Sequence, residues 1–142
     1  MKKIFIDTNV VIDFLADRRP FSIDAARLFD MAIDGRVKIY ISAVSYNNIY
    51  YILRQSLTNS ATIKLLEELA AMTEIADVTN NVIRQSLKTD FNDYEDAIQY
   101  FCAMAVSGID CIITRDTKDF KKSTISVLTP SEAIAALSNI KN

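Results

Sequence analysis

The chain contains no histidine. That absence removes the Ser-His-Asp triad, the Cys-His dyad and every zinc centre that relies on imidazole. Its two cysteines, Cys102 and Cys111, are too few for a four-thiolate zinc site. Both sit in apolar stretches, where they read as reduced core thiols in a reducing compartment. Glycine is as scarce: Gly35 and Gly108 are the only two, so neither a P-loop nor a G-x-G-x-x-G turn can be written. ATP or NAD in the usual cradles is not expected. No apolar run reaches the roughly 18 residues of a membrane span. The opening Met1-Lys2-Lys3-Ile4-Phe5-Ile6 meets Asp7 too early for a signal peptide, so a cytoplasmic protein without membrane contact is expected. The formal net charge of −2 supplies no whole-protein basic field, and a polyanionic ligand would have to be held by local Lys and Arg or by metal ions.

What is present is an ordinary globular composition, 50% apolar and 24% charged over 142 residues. It shows no internal repeat, low-complexity segment or linker, and a single domain over residues 1–142 is expected. Residues 3–6 form a short apolar run ended by Asp7-Thr8-Asn9, a buried strand leading into a helix over 10–15. After Pro20, Ser22 is placed to cap a helix that Gly35 closes in the left-handed conformation. A strand over 37–41 precedes a helix capped by Ser42 and running to about Leu57. A helix over 62–72, a short strand over 74–78 and a helix from Thr79 to about Leu87 follow. Asn92-Asp93-Tyr94-Glu95 reads as a capping box with Asn92 as the cap, opening a helix that runs to Gly108. Strands over 111–113 and 126–128 remain, and Thr129-Pro130-Ser131-Glu132 is a second capping box at the start of a last helix. Strands alternating with helices predict an α/β fold, a central parallel sheet covered on both faces in three α/β/α layers.

With histidine and zinc chemistry gone, carboxylate, amide, hydroxyl and guanidinium remain, and hard oxygen donors suit magnesium or manganese. Open parallel sheets bind ligands at the carboxyl ends of their strands. Two predicted strands end in an acid there, at Asp7 and Asp116. Asp93 and Asp96, three residues apart, lie on one face of a helix near its N-terminus. Acids gathered from separate segments repel one another unless a cation neutralises them, which points to a bound divalent ion. Each acid also has a plain structural reading: Asp7 as a helix cap, Asp93 and Asp96 as partners of a helix dipole, Asp116 and Asp119 as turn residues.

The motifs Phe5-Ile6-Asp7-Thr8-Asn9-Val10, Tyr40-Ile41-Ser42-Ala43, Asp93-Tyr94-Glu95-Asp96-Ala97-Ile98-Gln99-Tyr100 and Ile113-Thr114-Arg115-Asp116-Thr117-Lys118-Asp119-Phe120 occur in an order that resembles the PIN-domain family. Many members of that nuclease family are toxins of bacterial toxin–antitoxin modules. The resemblance covers nearly the whole chain, and the closing Val127-Leu128-Thr129-Pro130-Ser131-Glu132 resembles the family's tail. It implies that Asp7, Asp96 and Asp116 hold Mg2+ or Mn2+, with Asp93 beside them in catalysis. Thr8, Asn9 and Thr114 are implied to orient the acids. The family's second acid, a Glu six residues after the strand-end Ser, falls here on Asn48, which ligates through oxygen but adds no charge. Relatives with a similar Tyr-rich helix around Asn47-Asn48-Ile49-Tyr50-Tyr51 form a subgroup that shares the change.

The activity so implied is phosphodiester hydrolysis of RNA, leaving a 5′-phosphate and a 3′-hydroxyl. A small antitoxin protein and a homodimer are the implied partners. Arg115 and Lys118, with Arg18, Arg19, Lys121 and Lys122, are candidates to grip the RNA backbone; the alternative for all of them is a solvated surface run, which suits Lys121 and Lys122 better. Tyr46, Tyr50 and Tyr51 are placed to stack on bases or to pack in a core or dimer interface. Two other readings stay open. One is a PIN-like domain that binds RNA or a protein partner without cutting, for which Asn48 is the argument. The other is a phosphatase or receiver-type domain with Asp7 as nucleophile, although Asn9 stands where a phosphatase wants a second Asp and Arg115-Asp116 where a receiver wants a Lys.

Overall fold

The apolar run after Lys3 has no polar face, and the fold shows why: both faces of β1 (Lys2–Ile6) are covered. Ile4 and Ile6 enter one core and Phe5 the other. The same division holds in β4 (Cys111–Ile113), where Cys111 and Ile113 face the first core and Ile112 the second. With β2 (Val37–Ser42), β3 (Glu74–Ala76) and β5 (Ser126–Leu128) these strands make one sheet in the order β3-β2-β1-β4-β5. Every pairing is parallel. The computed structural model describes residues 1–138.

The first core is closed by α1 (Thr8–Leu15), α2 (Phe21–Ile33), α3 (Ala43–Leu53), α4 (Asn59–Met72) and α7 (Pro130–Ser138). The second is closed by α5 (Asn80–Lys88), α6 (Tyr94–Met104) and a 3-10 turn, Thr117–Phe120, that buries Phe120. The expected single α/β domain with a helix-flanked parallel sheet is what the chain builds. Both cysteines are buried and free, as expected of core thiols.

Several element ends differ from the sequence reading. Helix α2 begins two residues earlier, directly after Pro20, and Ser22 is buried inside it without capping. Helix α4 begins at Asn59 because Thr58 caps it, its hydroxyl accepting the Ala61 N–H at 3.1 Å. Helix α3 stops at Leu53, and α6 at Met104 rather than Gly108. Asp93, not Asn92, caps α6: one carboxylate oxygen accepts the N–H groups of Glu95 (2.8 Å) and Asp96 (3.3 Å). A charged acceptor matches the positive end of a helix better than a neutral amide does. The capping box at Thr129 forms in full, with Thr129 N donating to Glu132 (2.9 Å) and Glu132 N to Thr129 (3.2 Å). Gly35, at φ 75°, ends α2 with its own N–H on Ala32 and the Arg36 N–H on Met31.

Topology fixes where a ligand can sit. From β1 the chain runs through α1 and α2 on one face to β2; from β4 it enters the 3-10 turn, packed on the other face. Neighbouring strand ends whose exits part in opposite directions leave a crevice between them. Asp7 follows β1 and Asp116 follows β4, so both stand at its mouth.

Candidate functional site

Asp7 is held from two sides. Its Oδ1 accepts the Thr8 N–H at 2.8 Å and its Oδ2 accepts the Thr114 hydroxyl at 2.8 Å. Its backbone N–H is tied to Ile113 O at 2.9 Å, so β4 holds the residue from below. Asp7 is therefore the cap of α1, and the same side chain lines the cavity described below. Burial pushes its carboxyl above the usual range; the bonds from Thr114 and Thr8 oppose this, and the like charges of Asp116 and Asp119 add to it.

Thr114 is fully buried and links two acids, since its oxygen also accepts the Asp116 N–H at 3.1 Å. Asn9 donates from Nδ2 to Asp116 Oδ2 at 3.3 Å. Thr8 turns the other way, its hydroxyl 2.6 Å from that of Ser45 on α3. Gln99 on α6 donates to both, at 3.2 and 3.0 Å. Three helices are thus tied together beneath the acids by one polar cluster.

The acids border a cavity of about 590 Å³ that includes Asp7, Asn48, Glu95, Asp96, Asp116 and Asp119 in its wall. Asp96 is half-buried, and its pKa is pushed up to about 7, first by burial and then by Asp93, Asp119, Asp7 and Glu95. Asp119, Glu95, Gln99 and Ser45 are the residues that the sequence reading did not single out as part of the site. Asp119 reads as a turn residue until the burial of Phe120 shows that the 3-10 turn folds back against the sheet. Gln99 carried a usable signal, an amide one helical turn after Asp96 on the same face of α6.

The other candidates divide between this cavity and places away from it. Asp93 caps α6 and, with Lys118, borders a smaller cavity beside the first. Arg115 and Arg18 line the main cavity, and Arg115 is engaged with Asp13. Lys122 pairs with Asp90 at 2.8 Å. Tyr51 lines the cavity edge, whereas Tyr46 packs against the first core.

The donors around the cavity are all oxygen, the hard kind that suits magnesium or manganese. Among the described residues no three acidic or thiol side chains stand close enough to form a ready-made cation cage. The side-chain oxygens Asn9 Oδ1 and Gln99 Oε1 are nonetheless buried with no protein partner. Oxygens of that sort fit a hydrated cation, which supplies the donors they lack.

A parallel-sheet domain with an acid-lined crevice at its switch point defines a class, and the comparisons narrow it. The chain belongs to the PIN domain family, whose model matches residues 3–118. Solved structures share the fold at low identity. VapBC2 from Rickettsia felis, bound to a DNA fragment from its promoter, is 17% identical with a TM-score of 0.65, covering 89% of this chain and 96% of that one. A toxin–antitoxin complex from Klebsiella pneumoniae is 22% identical with a TM-score of 0.63, covering 89% and 97%. VapC20 from Mycobacterium tuberculosis, a toxin that cleaves the sarcin-ricin loop, is 18% identical with a TM-score of 0.59, covering 77% and 86%. Among curated protein sequences none matches. No helix among the described residues is long and apolar enough to cross a membrane.

Proposed function

We propose that this protein is a magnesium- or manganese-dependent endoribonuclease of the cytoplasm, acting as the toxin of a toxin–antitoxin pair. The observation that carries the reading is the gathering of Asp7, Asp96, Asp116 and Asp119, from three separate segments, on one cavity wall. In this reading Asp7, Asp96 and Asp116 hold the ion. When bound, the ion neutralises the acids and acidifies a water molecule at the scissile phosphate.

The chain's own residues do the rest. Thr114 and Thr8 fix the two oxygens of Asp7, while Asn9 fixes Asp116. Asp116 is exposed and takes the role of orienting the attacking water, with Asp119 beside it. Asp93 is committed to the α6 cap and acts through Asp96, whose charge it opposes. Hydrolysis leaves a 5′-phosphate and a 3′-hydroxyl. Arg115 receives the RNA backbone at the cavity, and Lys118 does so from the neighbouring one.

An antitoxin partner and a homodimer belong to the same reading. Tyr51 and Ile52, exposed on α3 at the cavity edge, give a partner an apolar foothold. The R. felis and K. pneumoniae relatives are themselves complexes. Light scattering that finds only a 16.0 kDa species would contradict the dimer.

The test is cleavage of RNA by the purified protein with manganese, beside Asp7→Asn and Asp96→Asn. Activity lost in both variants supports the site, and activity surviving both sinks it. Asn48 favours one second reading, a domain of the Asn-bearing subgroup that binds RNA or a protein and no longer cuts. Manganese binding without cleavage of any RNA is its expected outcome.

A further inference from the structure

Asp13 is a buried charge, 1% exposed, that the metal reading does not use. It lies on α1 and receives two arginines. Arg115 donates to both of its oxygens, Nε to Oδ2 at 2.7 Å and Nη2 to Oδ1 at 3.3 Å. Arg18 brings its Nε to 3.1 Å from Oδ1. The Arg115 guanidinium also lies over the Phe21 ring, 4.1 Å from its centroid. A buried carboxylate is costly to desolvate and is kept where it organises its partners. Two guanidiniums against one carboxylate leave a net positive charge.

Where that charge stands is informative. Both arginines line the cavity of the acids and, among the described residues that line it, they are its only cations. A polyanion approaching carboxylates is repelled, and a cation at the same mouth is what lets it dock. Arg115 has its Nη1 without a hydrogen bond among the described residues, and Arg18 is 45% exposed, so both keep N–H donors for a ligand. Guanidinium forks held in a fixed plane suit a phosphate, which they grip through paired hydrogen bonds.

We propose that Asp13 is a positioning residue that locks Arg18 and Arg115 into one two-arginine clamp for an RNA phosphate flanking the scissile bond. The assignment rests on the ribonuclease reading. It makes the pair a unit, so that loss of Asp13 disables both arginines at once.

The test is binding of a fluorescein-labelled single-stranded RNA, read by anisotropy over a salt series. It is run with magnesium in the Asp7→Asn background, which slows cutting and leaves the clamp intact. Arg18→Gln and Arg115→Gln should each weaken binding about tenfold and lower the salt slope by about 0.7. Asp13→Asn should weaken it at least as much, although it makes the protein more positive. A purely electrostatic role for Asp13 moves affinity the opposite way, and a purely structural one moves the melting temperature alone; either result overturns the proposal. Should Asp13→Asn not fold, the two arginine variants carry the test, and undiminished binding by both overturns it. If the wild-type chain neither binds nor cuts RNA, the ribonuclease reading itself falls, and the clamp with it.

Discussion

Thr114 donates to Asp7 across the seam between β4 and β1, hydroxyl to carboxylate at 2.8 Å, and so couples the two strand ends that make the crevice. The same oxygen accepts the Asp116 N–H, which gives one small side chain control over two acids. Thr114→Val keeps the shape and removes both bonds. A hydrogen bond to a charged group is worth about 1.5–3 kcal/mol, so ribonuclease kcat/KM should fall roughly ten- to hundredfold. The Thr114 bond lowers the pKa of Asp7, so its loss should also move the acid limb of the pH–rate profile upward. An unmoved limb would mean that Asp7 takes no part in the reaction.

Asp96 makes a prediction about pH. Its carboxyl, pushed up to about 7, lies well above the ordinary aspartate range, so the native state holds its proton more tightly than the unfolded chain does. The contribution to metal-free stability is fully present below about pH 4 and is lost as pH rises through about 7. Metal binding runs the other way, because the ligand has to be deprotonated. Thermal melts with a chelator should therefore show a loss of stability between pH 5 and pH 8 that Asp96→Asn reduces. Manganese should raise the melting temperature more at pH 8 than at pH 6. Equal metal effects at both pH values would remove Asp96 from the ion's ligands.

The parts of this site that were legible in the sequence are those set by local rules. A buried strand that ends in an acid places Asp7 and Asp116 at the sheet's binding edge without knowledge of any contact. Thr8, Asn9 and Thr114, which flank those acids, came only with the resemblance to the PIN-domain family. Asp93 was legible as an acid but not as the cap, since Asn92 offers a similar acceptor one residue earlier and only the helix's actual first turn decides between them. Asp119 and Asp13 were hidden for another reason. Asp119 reaches the cavity because Phe120 is buried under the opposite face of the sheet. Asp13 looks like the polar side of an amphipathic helix, and its burial depends on Arg115, 102 residues away. Neither relation is carried by spacing.

Asn48 can be asked to become a Glu, the acid that the family resemblance places at this position. It is half-buried and lines the cavity wall, so an added carboxylate at this position joins a cluster that is already crowded with charge. Asn48→Glu should lower the metal-free melting temperature, because like charges repel, and should tighten manganese binding measured by calorimetry. If Asn48 is what limits turnover, RNA cleavage should rise with it. Tighter metal binding without faster cleavage would place the limitation elsewhere.

Gln99 separates the structural work of the polar cluster from its work at the site. Its amide N–H groups hold Thr8 and Ser45, yet those two hydroxyls already pair with each other at 2.6 Å. Its Oε1 is buried without a protein partner, a deficit worth about 1–3 kcal/mol if nothing supplies the missing bond. Gln99→Leu removes the deficit along with two donated bonds, so metal-free stability should change by less than about 1 kcal/mol. If Oε1 serves the hydration shell of the ion, the variant should lose much of the rise in melting temperature that manganese gives the wild type. Paired melts with and without manganese decide this. A full manganese response in Gln99→Leu would return Oε1 to a purely internal role and leave Asn9 as the remaining orphaned oxygen at the site.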